Sequence, residues 1–154
     1  LVEKNGKLVI NKKWVGKDAR LFLKELGIDA DPRLIICETD ENHPFVQVEM
    51  MMPILPIVRV ADIDEAIEKA VAAEHGNRHS AHIHSKNIDN LTRFARAVET
   101  TIFVKNAPSY AGIGFGGEGH ATFTIAGPTG EGITSARSFT RKRRCVLSEN
   151  FRII

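Results

Sequence analysis

Residues 53–105, PILPIVRVADIDEAIEKAVAAEHGNRHSAHIHSKNIDNLTRFARAVETTIFVK, decide the fold. PILPIVRV (53–60) reads as a strand that Pro56 confines to an edge or an irregular position, because proline offers no N–H to a ladder. Asp62 follows as a helix N-cap, and Glu65 three residues later makes an acidic variant of the capping box. Ile63, Ala66, Ile67, Ala70 and Val71 recur at helical spacing and predict the buried face of that helix, which Gly76 ends. HSAHIHS (79–85) predicts a short strand. Residues 88–98 predict a second helix with Ile88, Leu91, Phe94, Ala95 and Val98 on one side, and TIFVK (101–105) another strand. The order strand, helix, strand, helix, strand predicts an α/β fold with a largely parallel sheet covered by helices and right-handed crossovers.

Upstream, KDARLFLKEL (17–26) puts Ala19, Phe22, Leu23 and Leu26 on one helical face, with Gly27 as the C′ residue. DADP (29–32) is a turn, RLIICET (33–39) an apolar β-branched run that reads as a buried strand, and ENHPFVQVEMM (41–51) is mixed. Downstream of residue 105 the pattern turns to loops, with ATFTI (121–125) and RRCVL (143–147) as later strands. Eight of the twelve glycines fall in 105–147. Glycine weakens regular elements, so its concentration points to tight turns or a close approach to a ligand.

The 154 residues suit one domain, with 43% apolar and 26% charged residues and a net charge of +2. That charge is too small to make nucleic acid or an acidic membrane the main partner. No apolar run reaches transmembrane length and no signal-peptide pattern is present. Cys37 and Cys145 make no disulfide framework, so a reducing cytoplasm is the default. The chain opens with Leu1 inside an amphipathic segment and reads as a piece of something longer.

GIGFGG (112–117) and GFGGEG (114–119) both match GxGxxG, but no strand leads in and no helix follows, so a dinucleotide cradle is not expected. No GK[ST] follows to make a P-loop. His79, His82 and His84 offer a zinc cluster or, more simply, strand histidines; no third ligand at suitable spacing favours the latter. RKRR (141–144) is short and local, which suits a solvated or subunit-contacting strand better than a nucleic-acid stripe. Both cysteines sit in apolar runs and read as buried fillers rather than nucleophiles. Glu49 precedes MMMP in an apolar context, where a carboxylate needs a salt-bridge partner or a ligand.

Three segments together resemble the aldehyde dehydrogenase superfamily. VQVEMMMPILPIVRV (46–60) is similar to its E-[EI]-x-F-G-P-V stretch and NAPSYAGIGFGGEGH (106–120) to its late FGG loop. GPTGEGITSARSFTRKRRCVL (127–147) resembles the tail of the CoA-acylating branch, the propionaldehyde and acetaldehyde dehydrogenases of bacterial diol and ethanolamine catabolism. HPFVQ (43–47) and HSKNIDN (84–90) extend the resemblance through essentially the whole chain.

The resemblance implies a three-layer α/β fold of the aldehyde dehydrogenase catalytic-domain type, incomplete here, with a mostly parallel sheet flanked by helices. It implies residues 1–140 as the C-terminal part of that domain and 141–154 as a C-terminal strand for homo-oligomer assembly, dimer or tetramer. It implies a reaction in which a thiolate attacks a short aldehyde, hydride passes to NAD, and CoA displaces the acyl group from the resulting thioester. By the same resemblance Glu49 and Met51 contact the cofactor, Glu49 by accepting hydrogen bonds from the nicotinamide ribose. Met51 stands where most relatives carry phenylalanine, and Met52 replaces a glycine. Ser109, Phe115, Gly116 and Gly117 shape the substrate wall, and Asn106 and Pro108 lead into it.

Neither cysteine matches the nucleophile's motif. The nucleophile and the NAD-binding domain are therefore expected upstream of Leu1, no catalytic residue or metal is assigned within the chain, and the chain alone is expected to be inactive. The compartment implied is the cytoplasm, with a bacterial microcompartment as the alternative. Rival readings are a noncatalytic oligomerisation module, built on RRCVLSENFRII, and a glutamate-semialdehyde dehydrogenase relative, against which the TGEGITSAR tail argues.

Overall fold

In the computed structural model the described residues are 1–116, 121–122, 127 and 133–146. They divide into two compact units, Leu1–Gly76 and Asn77–Ile154.

The first unit begins with a hairpin of β1 (Val2–Lys4) and β2 (Lys7–Val9), paired antiparallel with Lys4 opposite Lys7. Asn5 and Gly6 make its two-residue turn at φ +54° and +72°. Those are the positive values a type I′ turn demands, and Asn-Gly is the pair that tolerates them. Helix α1 (Ala19–Glu25) buries Ala19 and half-buries Phe22 and Leu23, with the Trp14 ring 4.8 Å from that of Phe22. Leu26 does not join this face: it is the C-cap and 72% exposed, because the helix has already stopped turning there. Gly27 N–H donates to Lys24 O at 3.0 Å and Ile28 N–H to Leu23 O at 2.9 Å, the bond pair of a Schellman ending, as a glycine at C′ predicts.

Strands β3 (Ile35–Thr39) and β4 (Ile54–Val58) pair in parallel, with Cys37 opposite Pro56. The expected burial of both faces of β3 is not found. Ile35, Cys37 and Thr39 are half-buried while Ile36 and Glu38 are exposed, since side chains alternate across a strand and only one face is packed. Between the strands lies a one-turn helix, α2 (Pro44–Gln47), which the mixed pattern of 41–51 concealed. Its signal is Pro44 at the first helical position, with His43 Nδ1 accepting from Phe45 N–H at 3.1 Å as the cap. Helix α3 (Ile63–Glu74) follows β4. Asp62 Oδ1 accepts from the N–H groups of Asp64 and Glu65, both at 2.9 Å. Glu65 reaches back to Ala61 N–H at 2.6 Å, and that bond, then Lys69, holds its carboxyl below the ordinary glutamate range. The predicted apolar face is a single face, but its five residues are half-buried rather than buried.

The second unit is a βαβ unit of β5 (Ser80–Ile83), α4 (Ile88–Val98) and β6 (Ile102–Lys105), the two strands pairing in parallel from Ser80↔Ile102 to Ile83↔Lys105. Asn87 caps α4 by accepting from Asp89 and Asn90 N–H. Ala81, Phe94, Val98, Ile102 and Val104 form the core, with the Phe94 and Phe103 rings 5.6 Å apart. Ile88, expected on the buried side, is 74% exposed at the first position of α4.

Beyond β6 a 3-10 helix spans Ser109–Ile113 and another Ala136–Phe139. The strand expected over 143–147 is not formed at Arg143–Val146, which is exposed and irregular; a strand needs a ladder partner, and none is present among the described residues. Ala121 and Thr122 are likewise irregular, and the rest of ATFTI lies outside the described residues, as do Leu147 and the tail to Ile154. No helix among the described residues is long and apolar enough to cross a membrane.

Candidate functional site

The candidate residues fall in two groups, one in each unit. In the first unit the chain leaves α2 and runs through Val48–Met52 into β4. Met50 is buried, 6% exposed, and anchors this approach. Glu49 and Met51 on either side of it are exposed. Met51 has φ +55°, an uncommon backbone for a side-chain-bearing residue. Two bonds hold it there: Met51 N–H donates to Glu49 Oε1 at 3.3 Å, and Gly16 N–H donates to Met51 O at 3.3 Å. The salt-bridge reading of Glu49 finds no support, since among the described residues its carboxylate makes no ion pair. A carboxylate is acceptor-only with two oxygens, so one local bond leaves most of its capacity open to solvent or a ligand.

In the second unit β6 hands over to the loop that carries the other candidates. Pro108 opens the 3-10 helix, and Ala111 N–H donates to Pro108 O at 2.9 Å. Ser109 is exposed at its first position. Gly112 lies flat on β6: a Cβ there would overlap Ile102 Cγ2 and stand 2.9 Å from Val104 Cγ2. The absence of a side chain is what lets this loop lie against the strand. Phe115 N–H donates to Tyr110 O at 3.1 Å and its ring meets Tyr110 edge-on at 5.6 Å, yet 70% of Phe115 is exposed. Gly116 follows at φ +74°, and Gly117 lies outside the described residues. Thus Glu49 with Met51, and Ser109 with Phe115 and Gly116, form two local constellations. Residues 112–116 form a 3-10 turn and a bend, with no helix of the kind a dinucleotide cradle requires.

Other candidates carry less. His82 and His84 are exposed, and desolvation followed by the charge of His84 lowers the His82 pKa. His79 Nδ1 lies 3.0 Å from Ser80 Oγ. No group of three metal-ligating side chains is found among the described residues. Cys37 is half-buried, with Sγ 3.9 Å from Leu55 O, whereas Cys145, expected to be a buried filler, is exposed because its segment packs on nothing described. Asn106, expected only in the lead-in to the loop, also bonds Ser85 through its side chain, a contact 21 positions away that no local pattern signals.

The sequence profile of the aldehyde dehydrogenase family matches residues 23–141. The chain is 52% identical to the acetaldehyde dehydrogenase (acetylating) EutE of Salmonella typhimurium over 155 aligned positions, 99% of this chain and 33% of that protein. A Rhodopseudomonas palustris propionaldehyde dehydrogenase, solved with bound CoA and an acylated cysteine, superposes with a TM-score of 0.82 at 54% identity, covering 90% of this chain and 34% of that one. A histidine-to-alanine mutant of the propionaldehyde dehydrogenase from the Clostridium phytofermentans fucose utilisation bacterial microcompartment does so with a TM-score of 0.82 at 59% identity, covering 92% and 33%. The chain thus spans about a third of the length of the relatives it matches. With the family profile matching more than half of its residues, the chain belongs to the aldehyde dehydrogenase family.

Proposed function

We propose that this chain is the C-terminal part of the catalytic domain of a CoA-acylating aldehyde dehydrogenase that converts a short aldehyde, propionaldehyde or acetaldehyde, to its acyl-CoA with NAD as oxidant. The observation that carries the reading is the likeness, above 50% identity over nearly all of this chain, to acetylating and propionaldehyde dehydrogenases. The piece-of-a-larger-fold reading is supported by the outward face of β3 and β4. Ile36, Leu55 and Ile57 stand there 61%, 48% and 41% exposed, and adjoining apolar positions of this kind mark a surface made for covering.

Within the complete enzyme the exposed carboxylate of Glu49 accepts hydrogen bonds from the ribose hydroxyls, which fits a group with unused lone pairs. Met51 packs beside the nicotinamide from a backbone fixed by two hydrogen bonds. The nicotinamide supplies a hydride acceptor. Ser109, Phe115 and the 116–117 glycines form a wall of the aldehyde channel, where the exposed Phe115 ring offers apolar contact to a short alkyl chain. The nucleophilic thiol and the NAD-binding domain come from the part of the enzyme outside this chain. The segment 141–154 contributes an assembly strand, a reading supported by the exposure of Arg141–Val146, which pair with no strand among the described residues. The cytoplasm is the proposed compartment, and the microcompartment origin of one solved relative supports the alternative of a microcompartment interior.

The test is an assay of the complete enzyme with propionaldehyde and NAD, adding CoA in one arm and inorganic phosphate in the other. Reduced nicotinamide and propionyl-CoA are expected in the CoA arm. Acyl phosphate in the phosphate arm, with no acyl-CoA in the other, would overturn the reading in favour of the semialdehyde dehydrogenase relatives. The 154-residue chain assayed beside it is expected to give no turnover.

A further inference from the structure

Asn106 sits where the chain leaves β6, at φ +53°, a left-handed backbone that asparagine tolerates better than most residues. Its backbone N–H donates to Ile83 O at 2.9 Å, one step beyond the last paired rung, Ile83↔Lys105. Its side chain then extends the ladder. Oδ1 accepts from Ser85 N–H at 2.8 Å, and Nδ2 donates to Ser85 O at 2.9 Å. One carboxamide thus satisfies both backbone groups of a residue 21 positions away, as a neighbouring strand would. Ser85 passes the connection on: its Oγ accepts from Asn87 N–H at 3.1 Å, and Asn87 caps α4. The exit of β6, the exit of β5 and the start of α4 are thereby tied at one point. Three residues after Asn106 begins the 3-10 helix Ser109–Ile113, with Gly114 as its C-cap and Phe115 next in the chain.

We infer that Asn106 is a positioning residue for the substrate wall: its carboxamide, bonded to Ser85, sets where the 109–116 loop starts and hence where Phe115 stands. This rests on the reading of that loop as a wall of the aldehyde channel. Neither a generic turn residue nor a shorter polar one reproduces the latch. Glycine allows the same φ but removes both side-chain bonds. Aspartate keeps an acceptor for Ser85 N–H but sets an oxygen against Ser85 O.

The experiment compares Asn106→Gly and Asn106→Asp with the parent in the complete enzyme, reading amide hydrogen exchange and steady-state kinetics. With Asn106→Gly, exchange at Ala111, Gly114 and Phe115 is expected to quicken about tenfold, a change at the low end for losing two hydrogen bonds, while Ile102–Val104 stays at the parent rate. The aldehyde KM rises about tenfold and the NAD KM stays within about twofold, a split that general destabilisation does not produce. Asn106→Asp restores part of both. Should the glycine variant fail to fold, the aspartate variant reads the same two quantities at about half the effect on a logarithmic scale. Unchanged exchange over 111–115 in both variants overturns the inference, as does an equal rise in both KM values. Faster exchange with an unchanged aldehyde KM supports the latch and overturns the wall reading of Phe115 instead.

Discussion

Replacing Glu49 by alanine in the complete enzyme is expected to raise the KM for NAD about 10- to 100-fold while leaving the aldehyde KM near its parent value. The magnitude is that of hydrogen bonds to a charged acceptor, ~1.5–3 kcal/mol in all. The direction follows from the turn that presents the carboxylate. Buried Met50 fixes the chain, Glu49 and Met51 project outward on either side, and the single bond from Met51 N–H keeps one Glu49 oxygen facing the turn. Removing the carboxylate also frees Met51, whose φ of +55° then lacks one of its two restraints. A Glu49→Gln variant keeps an acceptor oxygen and is expected to lie between the two. Steady-state kinetics with NAD varied at saturating aldehyde and CoA is the measurement; an unchanged NAD KM in the alanine variant removes Glu49 from the cofactor site.

Gly112→Ala is expected to destabilise the loop by ~1–3 kcal/mol, the ordinary cost of forcing an extra methyl into a packed position. The added Cβ meets Ile102 and Val104, two of the most buried side chains on β6, at 5% exposure each, so neither can swing aside. The strand is held by its pairing with β5, and the loop is what yields. It lifts from β6 and carries Phe115 with it, so the aldehyde KM rises along with the loss of stability. Thermal unfolding and aldehyde kinetics of this variant check the prediction together. Parent-like values of both would mean that the loop packs elsewhere in the complete enzyme.

The parts of the fold that were legible in the sequence are those governed by local chemistry. Asp62 caps α3 and Gly27 closes α1 because both signals act through bonds to residues a few positions away. The βαβ unit of β5, α4 and β6 was legible because Phe94, Val98, Ile102 and Val104 recur at the right periods. The hairpin at Asn5-Gly6 and the proline-started α2 carry signals of the same local kind. Burial was harder to read. Composition cannot tell a strand packed on both faces from one packed on a single face, so Ile36, in a run that reads as a buried strand, stands outside. The strand expected at 143–147 depends on a partner, which the periodicity of RRCVL cannot supply. At the site, Glu49 stood out through its apolar context. The roles of Gly112 and Asn106 stayed hidden because they depend on distant neighbours: Ile102 and Val104 under one, Ser85 beside the other.

On the proposed function, this chain shapes a site whose nucleophile lies elsewhere in the complete enzyme. The most direct test of that claim is to trap the acyl-enzyme: complete enzyme, propionaldehyde and NAD without CoA, followed by peptide mass mapping. A thioester that waits for CoA accumulates when CoA is withheld. The expected result is one propanoyl group on a cysteine outside these 154 residues, with the peptides of Cys37 and Cys145 unmodified and the group released on adding CoA. A propanoyl group on Cys37 or Cys145, or reduced nicotinamide formed with no acylated cysteine, would contradict the account.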